Sequence, residues 1–359
     1  MSFPSRNTDV CLSRYGVKNM LSRVADSLYW MARYMERAED ITRILTVNFN
    51  ALLDLPPHDV EQSWRSLIEI TGDAPLYAQR FEGYTARNTM TFLLWDEGNP
   101  NSVFSCINLA RENARTVREQ ISSEMWEQIN RLYFHLRNVN RSAVLRGPAD
   151  LFATVRDGSH AFQGVTHATM THGDGYHFIQ LGKHLERSEK TARILDVKYA
   201  ALGGLEEGSP VQTIQLSAML RSCSAMESYR KTAQTLQTTR VVEFMLLNRE
   251  FPRTVYFCMN SVLDALKHIS ESTENLATRT AGRIVSDLAY LDLAEVLGDG
   301  LHEYLERTLQ RMNALGDDIT RTFFSAQVIL PGWRSYMQQV QQQQQQQTKK
   351  KGDSRSRGE

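Results

Sequence analysis

An all-α fold is predicted by three observations. Apolar residues recur every three or four positions through most of the chain, no segment alternates with a two-residue period between hairpin turns, and one 24-residue helical pattern occurs twice. The first copy sets the plan. From Leu28, the positions Met31, Met35, Ala38, Ile41, Leu45, Phe49 and Leu52 form one apolar stripe on a long helix, which Pro56 and Pro57 end. Shorter patterns follow at 60–71 and 85–96, then longer ones at about 101–122, 124–145 and 149–171. Gly173-Asp174-Gly175 interrupts the chain ahead of the second copy, and Gly203-Gly204 closes that copy as a C-terminal cap does. The plan repeats at about 210–235, 240–249, 253–272, 276–297 and 299–328. The expected architecture is a multi-helix bundle of two homologous halves, 20–172 and 173–330. A disordered extension (1–19) and a disordered Gln/Lys-rich tail (331–359) are expected to flank it. The tail runs through Gln341 to Gln347 into Lys349-Lys350-Lys351, a composition that cannot bury enough apolar surface to fold.

Bulk properties narrow the function classes. With 359 residues, the chain is long enough for a large core. Lys+Arg and Asp+Glu both number 41, so no global charge points to nucleic acid or to an anionic membrane. No apolar run approaches the length of a membrane span, and the N-terminus lacks the apolar segment of a signal peptide. The four cysteines (Cys11, Cys106, Cys223, Cys258) have neither Cys-x-x-Cys nor framework spacing, and Cys106 and Cys258 read as buried free thiols. A cytoplasmic location fits these features.

The repeat itself carries the functional signal. Tyr29–Leu52 and Ile179–Leu202 share 9 of 24 positions without a gap, against roughly one or two for unrelated sequences. The charged residues survive: Glu36/Glu186, Arg37/Arg187, Glu39/Glu189 and Arg43/Arg193. The apolar stripe drifts, with Met31 opposite Leu181 and Ile41 opposite Thr191. A second block, Phe92–Asn108 against Phe244–Asn260, aligns at a spacing of 152 and matches Pro100/Pro252 and Cys106/Cys258. Glu39 and Arg43 stand in the favourable Glu-first i,i+4 order, yet such a pair is worth only about 0.2–0.5 kcal/mol when exposed. That energy is too small to hold a pattern through divergence.

Two accounts remain open at this point. In one, the motif is a structural ion network in which Arg37 meets Glu186 and Arg187 meets Glu36 across a pseudo-twofold seam; removing one partner of a buried pair costs about 3–5 kcal/mol. In the other it is a polar site, with arginines gripping a carboxylate or phosphate and glutamates an amine or a metal. Di-metal chemistry is disfavoured, because Glu36 and Glu186 are followed three residues on by Glu39 and Glu189 rather than by His, and arginines crowd the same turns. His160, His167, His172, His177 and His184 are spaced five to seven residues apart, so solvated or singly hydrogen-bonded rings are expected rather than a zinc site. No cofactor is expected, since nucleotide-binding and nucleophile-elbow motifs do not occur.

The segments MLSRVADSLYWMARYMERAEDITRIL from Met20, CINLARENARTVREQIS with EMWEQIN after it, and GYHFIQLGKHLERSEKTARIL from Gly175 together resemble the bacterial alpha-E family over about residues 20–330. The resemblance implies an α-helical domain with an E-R motif, encoded near a circularly permuted ATP-grasp protein and a transglutaminase-like protein. It carries the motif onto Glu36, Arg37, Glu186 and Arg187, and a second block onto Arg111, Glu112, Asn113 and Arg115. His172, His177 and His184 stand where the family pattern has arginine, and Met20 fits the usual family start. The function implied is an accessory or binding component of a peptide-forming or peptide-modifying system, with the ATP-grasp ligase, the transglutaminase-like protein and a peptide as partners. The alternative is an enzyme that uses the duplicated Glu/Arg set on amide or acyl substrates. A nucleic-acid-binding role is disfavoured by the neutral net charge.

Overall fold

The computed structural model describes residues 22–51, 59–233, 235–270 and 275–325, and these contain sixteen α-helices and no strand. The stretches 1–19 and 331–359, expected to be disordered, lie outside the described residues.

The first eight helices are α1 (Ser22–Ala51), α2 (Val60–Thr71), α3 (Ala74–Ala78), α4 (Ala86–Trp95), α5 (Val103–Thr116), α6 (Ser123–Asn138), α7 (Arg141–Arg146) and α8 (Ala149–Thr169). The next eight are α9 (Asp174–Ala200), α10 (Pro210–Ser222), α11 (Met226–Thr232), α12 (Thr238–Leu247), α13 (Val255–Ile269), α14 (Leu276–Ala289), α15 (Leu293–Asp299) and α16 (Leu301–Ile319). A π-helical turn, Thr320–Phe324, extends α16. The order of long and short helices in the second set follows that in the first.

Local chemistry sets the ends. Ser102 and Thr254, which correspond at the 152-residue spacing, both accept a backbone N–H bond three residues on and start α5 and α13. Gly72 (φ 80°) ends α2, and Ser224 (φ 52°), at the same spacing, follows α10 as the one non-glycine with positive φ among the described residues. Three of the expected helices are each two. The 124–145 pattern breaks where the Asn140 side chain caps α7, the 210–235 pattern at the Ser224 turn, and the 276–297 pattern where Asp292 caps α15. Periodicity carries through such breaks because the apolar faces on either side still point inward. The short α3 begins with Pro75 in its first turn and gave no periodic signal.

Packing places α1 and α9 side by side at the centre. α1 also contacts α5 and α8, and α9 contacts α13 and α16, while α5 lies on α6 and α13 on α14. One contiguous core runs through both sets of helices, from Leu28 and Met35 to Leu305 and Met312, so the two sets share one compact unit that ends at Phe324. Of the following unit, Ser325–Glu359, only Ser325 is described. No described helix is long and apolar enough to cross a membrane.

Candidate functional site

The α1–α9 contact needs a residue without a side chain. A Cβ on Gly182 would lie 2.3 Å from the backbone oxygen of Tyr29, so glycine is what lets the two backbones approach. That approach sets the E-R turns of the two helices against each other. Arg37 donates from Nε and Nη2 to the two carboxylate oxygens of Glu186 at 2.7 and 2.8 Å. Arg187 donates likewise to Glu36 at 2.6 and 2.8 Å. The reciprocal pairing is the one the structural reading of the motif requires, and both pairs are two-pronged, the strongest form of such a contact. Glu36 is 0% exposed and Glu186 2%.

Around these forks the two sides differ. On the Glu186 side, Arg33 donates to Glu186 at 2.8 Å and to Glu189 at 2.5 Å, and Tyr29 accepts a third bond from it at 3.0 Å. The remaining arm of Arg37 reaches Asn101 at 2.7 Å, and Asn101 in turn donates to Asp73 at 2.8 Å. At the 152-residue spacing Asn101 corresponds to Arg253, and this exchange reshapes the Glu36 side. Arg253 donates to Glu36 at 3.1 Å, to Asp40 at 3.0 Å and to Glu39. Glu39 also accepts from Arg43, from Ser159 at 2.8 Å and from Gln163 at 3.1 Å, and lies 3.1 Å from His160. Arg43 also donates to Ser224 at the positive-φ turn.

The network is close to neutral. Its carboxylates are Glu36, Glu39, Asp40, Glu186 and Glu189, and its guanidiniums are Arg33, Arg37, Arg43, Arg187 and Arg253. Burial works to raise the Glu39 carboxyl, but Arg253, the His160 contact and Arg43 outweigh it and hold the group well below its usual range. Burial likewise opposes ionisation of Glu186, and Arg37 and Arg33 overcome it. Burial raises the Glu189 carboxyl instead, and Asp40 is raised as well. Burial and then the neighbouring Glu36 charge raise it to about 8, and its Oδ2 has no hydrogen-bond partner. With arginines against each glutamate, a divalent ion would meet cations first; among the described residues no group of three or more His, Cys, Asp or Glu is placed to hold a metal.

The other sequence candidates divide. Arg193 stays half-buried, with its guanidinium beside Gly72 rather than in the network. The Arg111–Arg115 block is not brought to the motif at all. Arg111 donates to Asn130 of α6 at 2.8 Å and lies 4.7 Å from the Tyr133 ring centre; Glu112 pairs with exposed Arg115 at 2.5 Å, and Asn113 donates back to the Leu109 carbonyl at 2.8 Å. The Arg111 contacts fasten α5 to α6, and the others stay within α5. Three of the histidines gather around Tyr176: His167 packs on His172 and lies 3.1 Å from the Tyr176 hydroxyl, His172 stacks on the Tyr176 ring and lies 2.9 Å from the His167 carbonyl, and His177, against Tyr176, stacks on His268; His184 is buried. Cys106, Cys223 and Cys258 are buried free thiols, each pushed up to about 12 by burial.

Arg253, Arg33, Asp40, Gln163 and Ser159 complete the network without having stood out as site residues. Arg33 faces Lys183, the same charge on a different residue, and Asp40 faces Lys190, so a search for identical charged residues passes over both. The available signal for Arg253 was its place after Pro252 in the second aligned block, opposite an asparagine.

One cleft reaches the network from outside. Ala32, Met35 and Glu36 of α1, Phe162, Gln163 and Thr166 of α8, and Ile179, Gln180 and Lys183 of α9 line it, and it is narrow, with room for about one water. Burial, then the Arg187 charge, lowers the Lys183 amine to about 8, and its Nζ donates to Gln180.

The fold and network thus define an α-helical protein whose two central helices are cross-linked by reciprocal Glu–Arg pairs. The family model Alpha-E, "a predicted alpha-helical domain with a conserved ER motif", matches residues 20–324, and the chain belongs to that family. Among curated proteins, uncharacterised proteins of Mycobacterium bovis and Mycobacterium tuberculosis are 26% identical over 339 residues, covering 86% of this chain. The chain spans only 37% of the length of these relatives. No solved structure matches it.

Proposed function

We propose that this protein is a non-catalytic helical partner in a cytoplasmic peptide-forming or peptide-modifying system, binding an ATP-grasp ligase, a transglutaminase-like protein or their peptide. The observation that carries this reading is the internal saturation of the motif. Glu36 and Glu186 each face two arginines of the same chain, so the E-R charges cross-link α1 and α9 rather than wait for a substrate. A framework of that kind suits a rigid binding module. The relatives add support, because there the matched stretch is one part of a longer chain and so works beside further polypeptide.

A second reading, an enzyme acting on amide or acyl groups, is favoured by one feature. The cleft between α1, α8 and α9 sets the Lys183 amine, lowered to about 8, near Glu36 and two carboxamides, Gln163 and Gln180. A pull-down of the tagged chain from its native cell, followed by assay of the recovered complex with ATP and amino acids, separates the two. Recovery of an ATP-grasp protein with ligase activity that the isolated chain lacks is the expected result. Turnover of a peptide or amide by the isolated chain, abolished by Lys183→Met, would replace the first reading with the second.

A further inference from the structure

The helices are ordered in space as a row. α6 lies on α5, α5 on α1, α1 on α9, α9 on α13 and α13 on α14, so α6 and α14 end the row on opposite flanks. Both flank helices run the same way, because α1 and α9 are parallel: Gly182 meets Tyr29, and further along both helices Arg187 meets Glu36. The outward faces of the two flanks carry opposite patterns. On α6, Glu124, Glu127, Arg131 and Phe134 stand exposed along one face; on α14, Arg279, Arg283, Asp287 and Tyr290 do. Acid, acid, base and ring thus stand against base, base, acid and ring. The short helices that follow continue the contrast. Residues 128–149, which include α7, hold four arginines and no carboxylate, whereas residues 284–306, which include α15, hold six carboxylates and neither Lys nor Arg. Apolar exposure falls in the same place. Among the described residues four large apolar side chains are exposed, and three of them, Phe134 (48%), Leu276 (51%) and Tyr290 (89%), belong to these two helices.

The chain is neutral overall, yet each flank has its complement on the far side of the same molecule. We infer that the chain assembles head to tail with copies of itself, the α6–α7 flank of one copy seated on the α14–α15 flank of the next. The two helices lie parallel and offset by one turn. In that register Glu127 faces Arg283, Arg131 faces Asp287 and Phe134 packs on Tyr290; without the offset Arg131 would face Arg283. A twofold pairing of α6 with α6 would leave the arginines of α7 without carboxylates, which only the opposite flank supplies. Such a contact uses a different patch on each copy, so it builds an open chain. It is also small. α6 is about 24 Å long, and its outer face with α7 offers roughly 350 Å² per copy, under half of the ~800 Å² per partner of a standard interface. Assembly is therefore weak and grows with concentration.

Sedimentation velocity of the full chain from about 10 μM to about 1 mM, in about 50 mM salt, tests this. The mean sedimentation coefficient is expected to climb without levelling at a dimer. It should fall back to that of the monomer in about 1 M salt, where charges are screened beyond about 3 Å. Glu127→Arg and Arg283→Glu, both on exposed side chains, should each weaken association at least about ten-fold. An equimolar mixture of the two variants should regain it, because each altered flank then meets an altered complement. The inference is overturned by a protein that stays monomeric at the highest concentration in low salt. A plateau at dimer, or association that survives either single substitution undiminished, overturns it equally. None of these results bears on the partner reading, which does not use these flanks.

Discussion

Replacing Glu36 by Gln separates a structural network from a vacant site, because the side chain keeps its length and loses only its charge. Glu36 accepts two bonds from Arg187 at 2.6 and 2.8 Å, one from Arg253 at 3.1 Å and one from Gln163 at 3.1 Å. In Glu36→Gln, one oxygen becomes an NH2 that points a donor at donors. Arg253 retains Glu39 and Asp40, but Arg187 is left with carbonyl and carboxamide acceptors alone, Pro252 at 3.2 Å and Gln163 at 3.4 Å. Stranding a buried arginine in this way costs about 3–5 kcal/mol. In a helical unit of this size, where each kcal/mol moves Tm by about 2 °C, the expected fall is roughly 6–10 °C. Scanning calorimetry near neutral pH with parallel urea unfolding reads both quantities. A cycle with Arg187→Met sharpens the test. Removing both charges should be milder than the sum of the single changes by about 1–3 kcal/mol. Exchanging the charges, Glu36→Arg with Arg187→Glu, should not restore stability, since Arg253 would then face a second arginine. A Glu36→Gln protein that melts with the wild type, in an additive cycle, would refute the network argument.

Other expectations follow from the same contacts. The Asp40 carboxyl is raised by burial and Glu36 to about 8, above its unfolded value, so its favourable contribution is complete in acid and is lost as pH rises from about 4 towards 8. Asp40→Asn should therefore gain stability relative to wild type progressively across that window, and a difference that does not change with pH would show that Asp40 ionises normally. Glu39 and Glu186 are held low, so their contribution is present above their unfolded values and is lost as pH falls below them; wild type and Asp40→Asn should both lose stability in acid. Gly182→Ala puts a Cβ 2.3 Å from the Tyr29 carbonyl and should cost about 1–3 kcal/mol or more by forcing α1 and α9 apart, measurable as a lowered urea midpoint. Arg111→Ala should destabilise by about 1–2 kcal/mol through its lost bond to Asn130 and its ring contacts, whereas Arg115→Ala, on an exposed pair, should stay within about 0.5 kcal/mol. A thiol reagent should label Cys106, Cys223 and Cys258 only at the rate of unfolding, because each is buried and raised to about 12.

Local pattern determined the helices and the faces they bury. The stripe from Leu28 to Leu45 lies wholly inside, and the side chains of Ser102, Ser122, Asn140 and Thr254 cap the helices that follow them. The repeat determined more: charges retained at Glu36, Arg37, Glu186 and Arg187 pointed to a shared reason, and reciprocal pairing was one of the two reasons on offer. Common ancestry of the halves remains a proposal, which the matching order of helix lengths supports. The tertiary structure supplied the reciprocal pairing that one of the two accounts requires, because a helical wheel fixes the direction of a side chain but not what stands opposite it. Glu36 and Glu39 point away from the apolar stripe, which in an isolated helix means water; here α9, α8 and the residues before α13 cover that face and turn it into interior. The same limit explains Arg253 and Gln163, whose partners are 217 and 127 residues away in the chain, and the Arg111 block, whose charges turn to α6 instead. Periodicity is a property of neighbours in sequence, whereas the network depends on which helices approach, and at Gly182 that approach depends on one missing side chain.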